Sequence, residues 1–175
     1  MENEKQHQKG LDATLKSKDT EEWLDNHFTR PLGYAWALFF NKFNIHPNVV
    51  TILSIILGVA AGYCFYYPDT VHTVIGILLL IWANIYDSTD GQLARMTGKK
   101  TRWGRMLDGF AGDLWFFAIY LAICLCLYDE WRMTIFIIAA LSGFVFHSSQ
   151  CQLADYYRNI HLYFLKGAEG SELDT

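Results

Sequence analysis

Between Ile85 and Asp113 the chain reads IYDSTDGQLARMTGKKTRWGRMLDGFAGD and carries four aspartates, Asp87, Asp90, Asp108 and Asp113. The segments on either side, VIGILLLIWAN and LWFFAIYLAICLCLY, have no charged residue at all. An ionised aspartate at mid-bilayer depth costs about 3 kcal/mol on insertion scales, less near the interface, and several that converge also repel one another. Such a group requires a cation. An all-oxygen, carboxylate-rich donor set favours Mg2+, Mn2+ or Ca2+ over zinc. At about 100° per residue, Asp87, Asp90, Gly91, Ala94 and Arg95 fall within an arc of about 140° on one helix. Gly104 and Asp108, four apart, share a face of the next, and a tight antiparallel hairpin aims the two faces at each other. Gly91 leaves room to approach the ion, Ala94 keeps the wall low one turn on, and Arg95 is a bidentate donor for phosphate oxygens. This is a pyrophosphate cradle, in which divalent ions bridge phosphates and offset charge developing on a leaving group.

The elements that must hold these residues are apolar. Hydrophobic residues make up 52% of the 175 and charged ones only 18%. Val49–Tyr67, Val71–Tyr86, Leu114–Tyr128 and Met133–Ala154 contain no Asp, Glu, Lys or Arg. A helix crossing the hydrocarbon needs about 20 residues. The first and last blocks reach that alone, and the middle two do so by borrowing turns from the aspartate-bearing stretch. The fold class is therefore all-α, a polytopic membrane bundle, and four such blocks in succession argue against a soluble protein with buried core helices. The first block begins behind a long polar and mixed stretch, where no cleavable signal peptide would place it. Of fourteen Lys and Arg, six precede Pro47, five lie from Arg95 to Arg105 and two follow the last block, at Arg158 and Lys166. Only Arg132 falls on the other side, so the termini and the basic connection are expected in the cytoplasm.

Residues 1–18 read as a loose tail and 19–44 as an amphipathic helix in the cytoplasmic interface, capped by Thr20 or Asp19. Its inward residues are expected to be Trp23, Phe28, Trp36 and Phe39, with Glu21, Glu22, Arg30 and Lys42 outward. Residues 45–166 form the transmembrane domain and 167–175 a polar tail. Cys64, Cys124, Cys126 and Cys151 all lie in apolar blocks and read as small core residues. Gly58 and Gly62 make a close helix-packing face. Lys99, Lys100, Arg102 and Arg105 read first as topology and anionic-lipid contacts, with acceptor recognition as the alternative. His147, Ser148, Gln150 and Gln152 either line an acceptor pocket or pack between helices, and Asp155, Tyr156, Tyr157 and Arg158 form an interfacial belt.

The pattern D-x-x-D-G-x-x-A-R-x8-G-x3-D, from Asp87 to Asp108, resembles the signature of the CDP-alcohol phosphotransferase family. HPNVVT at the head of the first span is similar to the P-N-x-x-T of the same enzymes, at Pro47, Asn48 and Thr51. The resemblance covers the chain from the interfacial helix to about Tyr157. It implies a transferase that makes phospholipid by moving a phosphatidyl or related group from a CDP-linked donor, CDP-diacylglycerol favoured, to a small alcohol acceptor, with release of CMP. It also implies a six-span fold, a cytoplasm-facing site in a bacterial-type cell membrane, a homodimer among membrane lipids, and no nucleic acid. Asp87, Asp90 and Asp108 would hold two Mg2+ or Mn2+ ions, while Gly91, Ala94 and Arg95, with Asn48 and Thr51, bind substrate.

Two features depart from the family pattern. Its last aspartate, metal ligand and general base, falls four residues after the third, which here is Gly112, whereas the carboxylate is at Asp113. Five residues along a helix rotate a side chain by roughly 140°, four by only about 40°. Either a one-residue π-bulge near Gly109–Gly112 restores Asp113 to the site, or the usual base is lacking, and the two glycines favour the bulge. Four spans are visible where six are expected, which suggests a domain incomplete at its C-terminus. Two other functions remain open: a catalytically impaired relative that binds CDP-lipid, and a cation transporter using the aspartates as an ion path.

Overall fold

The computed structural model of the chain describes residues 23–167, apart from the Lys166 side chain. The N-terminal tail, the expected caps at Asp19 and Thr20 with Glu21 and Glu22, and the tail beyond Gly167 lie outside these residues. Within them every element is helical. A π-helical turn, Asp25–Thr29, leads into α1 (Arg30–Lys42), followed by α2 (Pro47–Phe65), α3 (Thr70–Thr97) and α4 (Arg102–Cys126). A single turn α5 (Tyr128–Trp131) precedes α6 (Met133–Ala140), which continues through a π-helical segment, Leu141–His147, into α7 (Ser148–Lys166). Four stretches are long and apolar enough to cross a membrane: Pro47–Phe65, Thr70–Thr97, Arg102–Cys126 and Met133–Leu165.

Local chemistry sets the helix ends. His46 Nδ1 accepts the Asn48 N–H at 3.2 Å, and Pro47 takes the first turn of α2, where no N–H is needed. Asp69 Oδ1 accepts the N–H groups of Val71 and His72, each at 3.0 Å, at the start of α3. Gly98, at φ 67°, ends α3 in the left-handed conformation that a side chain would strain. Thr101 Oγ1 then accepts the Gly104 N–H at 2.9 Å and starts α4. Both ends of the connection are thus capped, and the chain passes from α3 to α4 within four residues, with α2 packed against both. The 28 residues of α3 run to about 42 Å, longer than the roughly 30 Å of hydrocarbon. Asp87, Asp90 and Arg95 come on its last turns.

The core is the three-helix contact of α2, α3 and α4. Gly58 and Gly62 on α2 admit α4 closely: a Cβ on Gly58 would stand 2.2 Å from Trp115 Cδ1, and one on Gly62 would stand 2.8 Å from the Ala118 Cβ. Helix α1 lies across α3, with Gly33 pressed against Ser88 and Gln92. Ala37 and Phe40 are buried there with Val50 and Leu93. Not all of the aromatics expected inward lie on the face that α1 turns to the protein. Trp23, Phe28 and Phe39 are exposed, Trp36 is half-buried, and Gly33, Tyr34, Ala37 and Phe40 make the contact. Arg30, expected outward, is half-buried on the α3 side. The turn before it widens because Pro31 has no N–H and its ring clashes with the carbonyl four residues back. The Arg30 N–H instead bonds to the Asp25 carbonyl, five residues back. The fourth span is the least packed, and none of residues 133–161 is buried. Cys124 is buried as expected, whereas Cys151 is exposed with Sγ 3.7 Å from His147 Nε2.

Candidate functional site

The hairpin brings three of the four aspartates together. Asp87 and Asp90 from α3 and Asp108 from α4 each offer a carboxylate oxygen within 4.8 Å of the others. Asp90 is buried, Asp87 half-buried and Asp108 exposed at the rim, so the group opens to one side. Carboxylates this close repel one another, so the group calls for a proton or a cation between its members. Thr51, from the first turns of α2, donates its hydroxyl to Asp90 Oδ2 and fixes that side chain. Asn48, one turn earlier, has its Oδ1 3.3 Å from where a Cβ on Gly104 would stand, so the glycine allows α4 to close on the head of α2.

Arg95 folds back along α3. Its Nη1 and Nη2 lie 3.4 Å from where a Cβ on Gly91 would stand. The space that Gly91 leaves is thus filled in this structure by the Arg95 guanidinium, which attracts Asp90, rather than left open for a ligand. Ala94 stands half-buried beside it.

Asp113 is not among the three. The expected π-bulge is absent from α4, which runs as a regular α-helix from Arg102 to Cys126. A Cβ on Gly109 or Gly112 would meet nothing within 4 Å, so no neighbour forces an extra residue into that turn. Asp113 instead faces a groove of about 420 Å³ between α4 and the fourth span. Phe117, Tyr120, Phe136, His147 and Ser148 line it with Asp113. The widened turn lies across that groove, at Leu141–His147, where Gly143 packs on Tyr120.

Three converging carboxylates, one of them locked by a hydroxyl, form an oxygen donor set suited to hard divalent cations. The profile of the CDP-alcohol phosphatidyltransferase family matches residues 44–160, the segment that contains every one of these groups. The chain belongs to that family. It is an integral membrane protein. An archaetidylinositol phosphate synthase of Pyrococcus horikoshii is 31% identical over 108 residues, 62% of this chain and 55% of that protein. A phosphatidylinositol phosphate synthase of Streptomyces avermitilis is 36% identical over 83 residues, 46% of this chain and 32% of its own. A protein of Aquifex aeolicus named bifunctional IPC transferase and DIPP synthase is 31% identical over 99 residues, covering 57% and 22%. The chain thus spans from about a fifth to about half the length of these relatives.

The motif spacing led directly to Asp87, Asp90 and Asp108. Two other groups at the cluster were not anticipated in their present places. Thr51 was expected at substrate and is tied to Asp90, and Arg30 was expected in solvent and attracts Asp87. Pro31 was the available signal for Arg30, since a proline inside a helical pattern re-aims the residues before it.

Proposed function

We propose that this chain carries the donor-binding and metal-binding core of a transferase. It would move a phosphatidyl group from CDP-diacylglycerol to an alcohol at the cytoplasmic face of the membrane. The observation that carries the proposal is the convergence of Asp87, Asp90 and Asp108 within 4.8 Å at the mouth of a capped hairpin. Mg2+ or Mn2+ bound there would bridge the donor's phosphates and offset charge on the departing CMP. Asp87, Asp90 and Asp108 would be the ligands, and the Thr51 hydroxyl would keep Asp90 in place. Arg95, resting over Gly91, has a short path from that position to a phosphate oxygen. The names of the Pyrococcus and Streptomyces relatives favour a phosphorylated polyol of the inositol phosphate type as acceptor. The basic connection Arg95–Arg105 supports a cytoplasmic site.

A second reading is favoured by one observation. The attacking hydroxyl must lose a proton, yet Gly112 stands where the family's base is expected and Asp113 faces the groove. The protein would then bind CDP-lipid without turnover. Membranes carrying the full chain, incubated with CDP-diacylglycerol, Mg2+ and inositol phosphate, glycerol phosphate or serine, separate the two by CMP release. Turnover abolished in Asp87→Asn, Asp90→Asn and Asp108→Asn supports the transferase. Retained CDP-diacylglycerol binding without CMP selects the second reading, and loss of both rejects each.

A further inference from the structure

Arg30 lies outside the motif and in a segment the family profile does not reach, which begins at residue 44. Its backbone is nevertheless fixed at both polar atoms. The N–H closes the π turn on the Asp25 carbonyl, and the carbonyl accepts Gln92 Nε2 at 3.1 Å. Gln92 is itself fully buried on α3 and also reaches Ser88 Oγ at 3.2 Å. One residue from Ser88 is Asp87, and the Arg30 guanidinium attracts its carboxylate. Gly33 makes this possible. It lets α1 approach until a Cβ there would stand 2.9 Å from Gln92 Nε2 and 3.0 Å from Ser88 Oγ. An interfacial helix is thus held by its backbone against the turn of α3 that carries Asp87, close enough for the charge of Arg30 to act on that carboxylate.

We propose that Arg30 is a second phosphate-binding arginine of the site. It attracts Asp87 while no divalent ion is bound and turns to a phosphate oxygen of the CDP-linked donor once the carboxylates hold metal. The inference rests on the transferase-core reading above. The chemistry gives it a signature of opposite signs. A guanidinium beside the ligands opposes metal binding by like charge. The same guanidinium supports a diphosphate by charge-assisted hydrogen bonds.

The test uses the full chain in lipid nanodiscs, Mn2+ followed by electron paramagnetic resonance, and CDP binding measured with and without Mn2+. Arg30→Gln should bind Mn2+ about three- to tenfold more tightly, as removal of one partly screened charge predicts. In the presence of Mn2+ it should bind CDP about ten- to a hundredfold more weakly, the loss of one charge-assisted hydrogen bond. Arg30→Lys keeps the charge but not the fork, so Mn2+ affinity should stay at the parent value while CDP binding falls. Unchanged CDP binding in both variants overturns the proposal. So does a joint loss of Mn2+ and CDP binding with lowered thermal stability, which marks a structural anchor. Failure of the underlying reading looks different: the parent protein then binds no Mn2+, or Asp108→Asn binds it as well as the parent does.

Discussion

Substituting Gly58 by alanine tests how the packing of α2 on α4 sets the site. A Cβ there would stand 2.2 Å from Trp115 Cδ1, 2.4 Å from Cγ and 2.5 Å from Nε1. Carbon atoms in contact sit about 3.5–4.0 Å apart, so the indole or the helix has to move by more than about 1 Å. The indole has little freedom, because Trp115 is 7% exposed and packed with Ala83, Ala111, Ile55, Leu57 and Leu80. The helix therefore moves. Overpacking of this kind costs about 1–3 kcal/mol, a loss of a few to about ten degrees in Tm for a chain this long. Asp108 lies two turns before Trp115 on the same regular helix, so the shift reaches the carboxylate cluster. A misplacement of about 1 Å in a catalytic constellation is worth about a hundredfold in rate. The assay is thermal unfolding in detergent together with Mn2+ binding. Gly109→Ala is the control: nothing lies within 4 Å of its Cβ, and alanine in a helix interior should add about 0.5–1 kcal/mol. A Gly58→Ala protein as stable as the parent, with equal Mn2+ affinity, would refute the packing argument.

The remaining predictions concern single groups. Thr51→Val removes the hydroxyl that Asp90 accepts and should weaken Mn2+ binding about ten- to a hundredfold, while Thr51→Ser keeps it; equal affinities for valine and serine would count against the tie. Asp113→Asn should leave Mn2+ binding unchanged, since Asp113 faces the groove. Gly112→Asp, about 40° from Asp108 on the helix with open space around its Cβ, should raise CMP release, and a fall would reject that face assignment. At the far end of α3, the His72 backbone N–H, with further hydrogen bonds from the His72 ring and the Val71 N–H, holds the Asp69 carboxyl below the usual carboxylate range. Its contribution is therefore present above the unfolded pKa and lost as pH falls through the lower folded one. The protection factors of the Val71 and His72 amides, taken relative to the intrinsic rate at each pH, should hold at neutral pH and fall only in acid below the ordinary carboxylate range, and Asp69→Ala should lower them at every pH. A cysteine placed at Lys99 should label from the cytoplasm alone.

How much of this was legible in the sequence depends on the range of the interaction. The spans follow from uninterrupted apolar runs, and the hairpin from the short basic connection between the second and third, because these are decided within a few residues. Asp87, Asp90 and Asp108 were legible because helical periodicity converts spacing into direction, and the connection between the two helices is too short to misalign them. The contact face of α1 was not. Phe28, Phe39 and Trp23 have the larger apolar area, and an argument from hydrophobicity alone assigns them inward. Close helix approach selects small residues, so Gly33 and Ala37 set the approach with Tyr34 and Phe40 beside them, and Trp23, Phe28 and Phe39 were left exposed.

The same distinction explains Asp113. Local composition near Gly109–Gly112 permits a widened turn, but permission is not a cause. A π-bulge needs something to displace a hydrogen bond, such as the proline at 31, and no side chain or backbone group presses on α4 at either glycine. With α4 regular, its two faces have separate surroundings. One carries Gly104 and Asp108 towards α2 and α3, and the other carries Asp113 and Tyr120 towards the fourth span. A carboxylate on the second face serves the first only if the helix turns or unwinds. Rotation would pull Trp115 off Gly58 and Ala118 off Gly62, where the glycines let α2 and α4 approach closely. The packing that assembles the three aspartates is therefore also what keeps the fourth away from them.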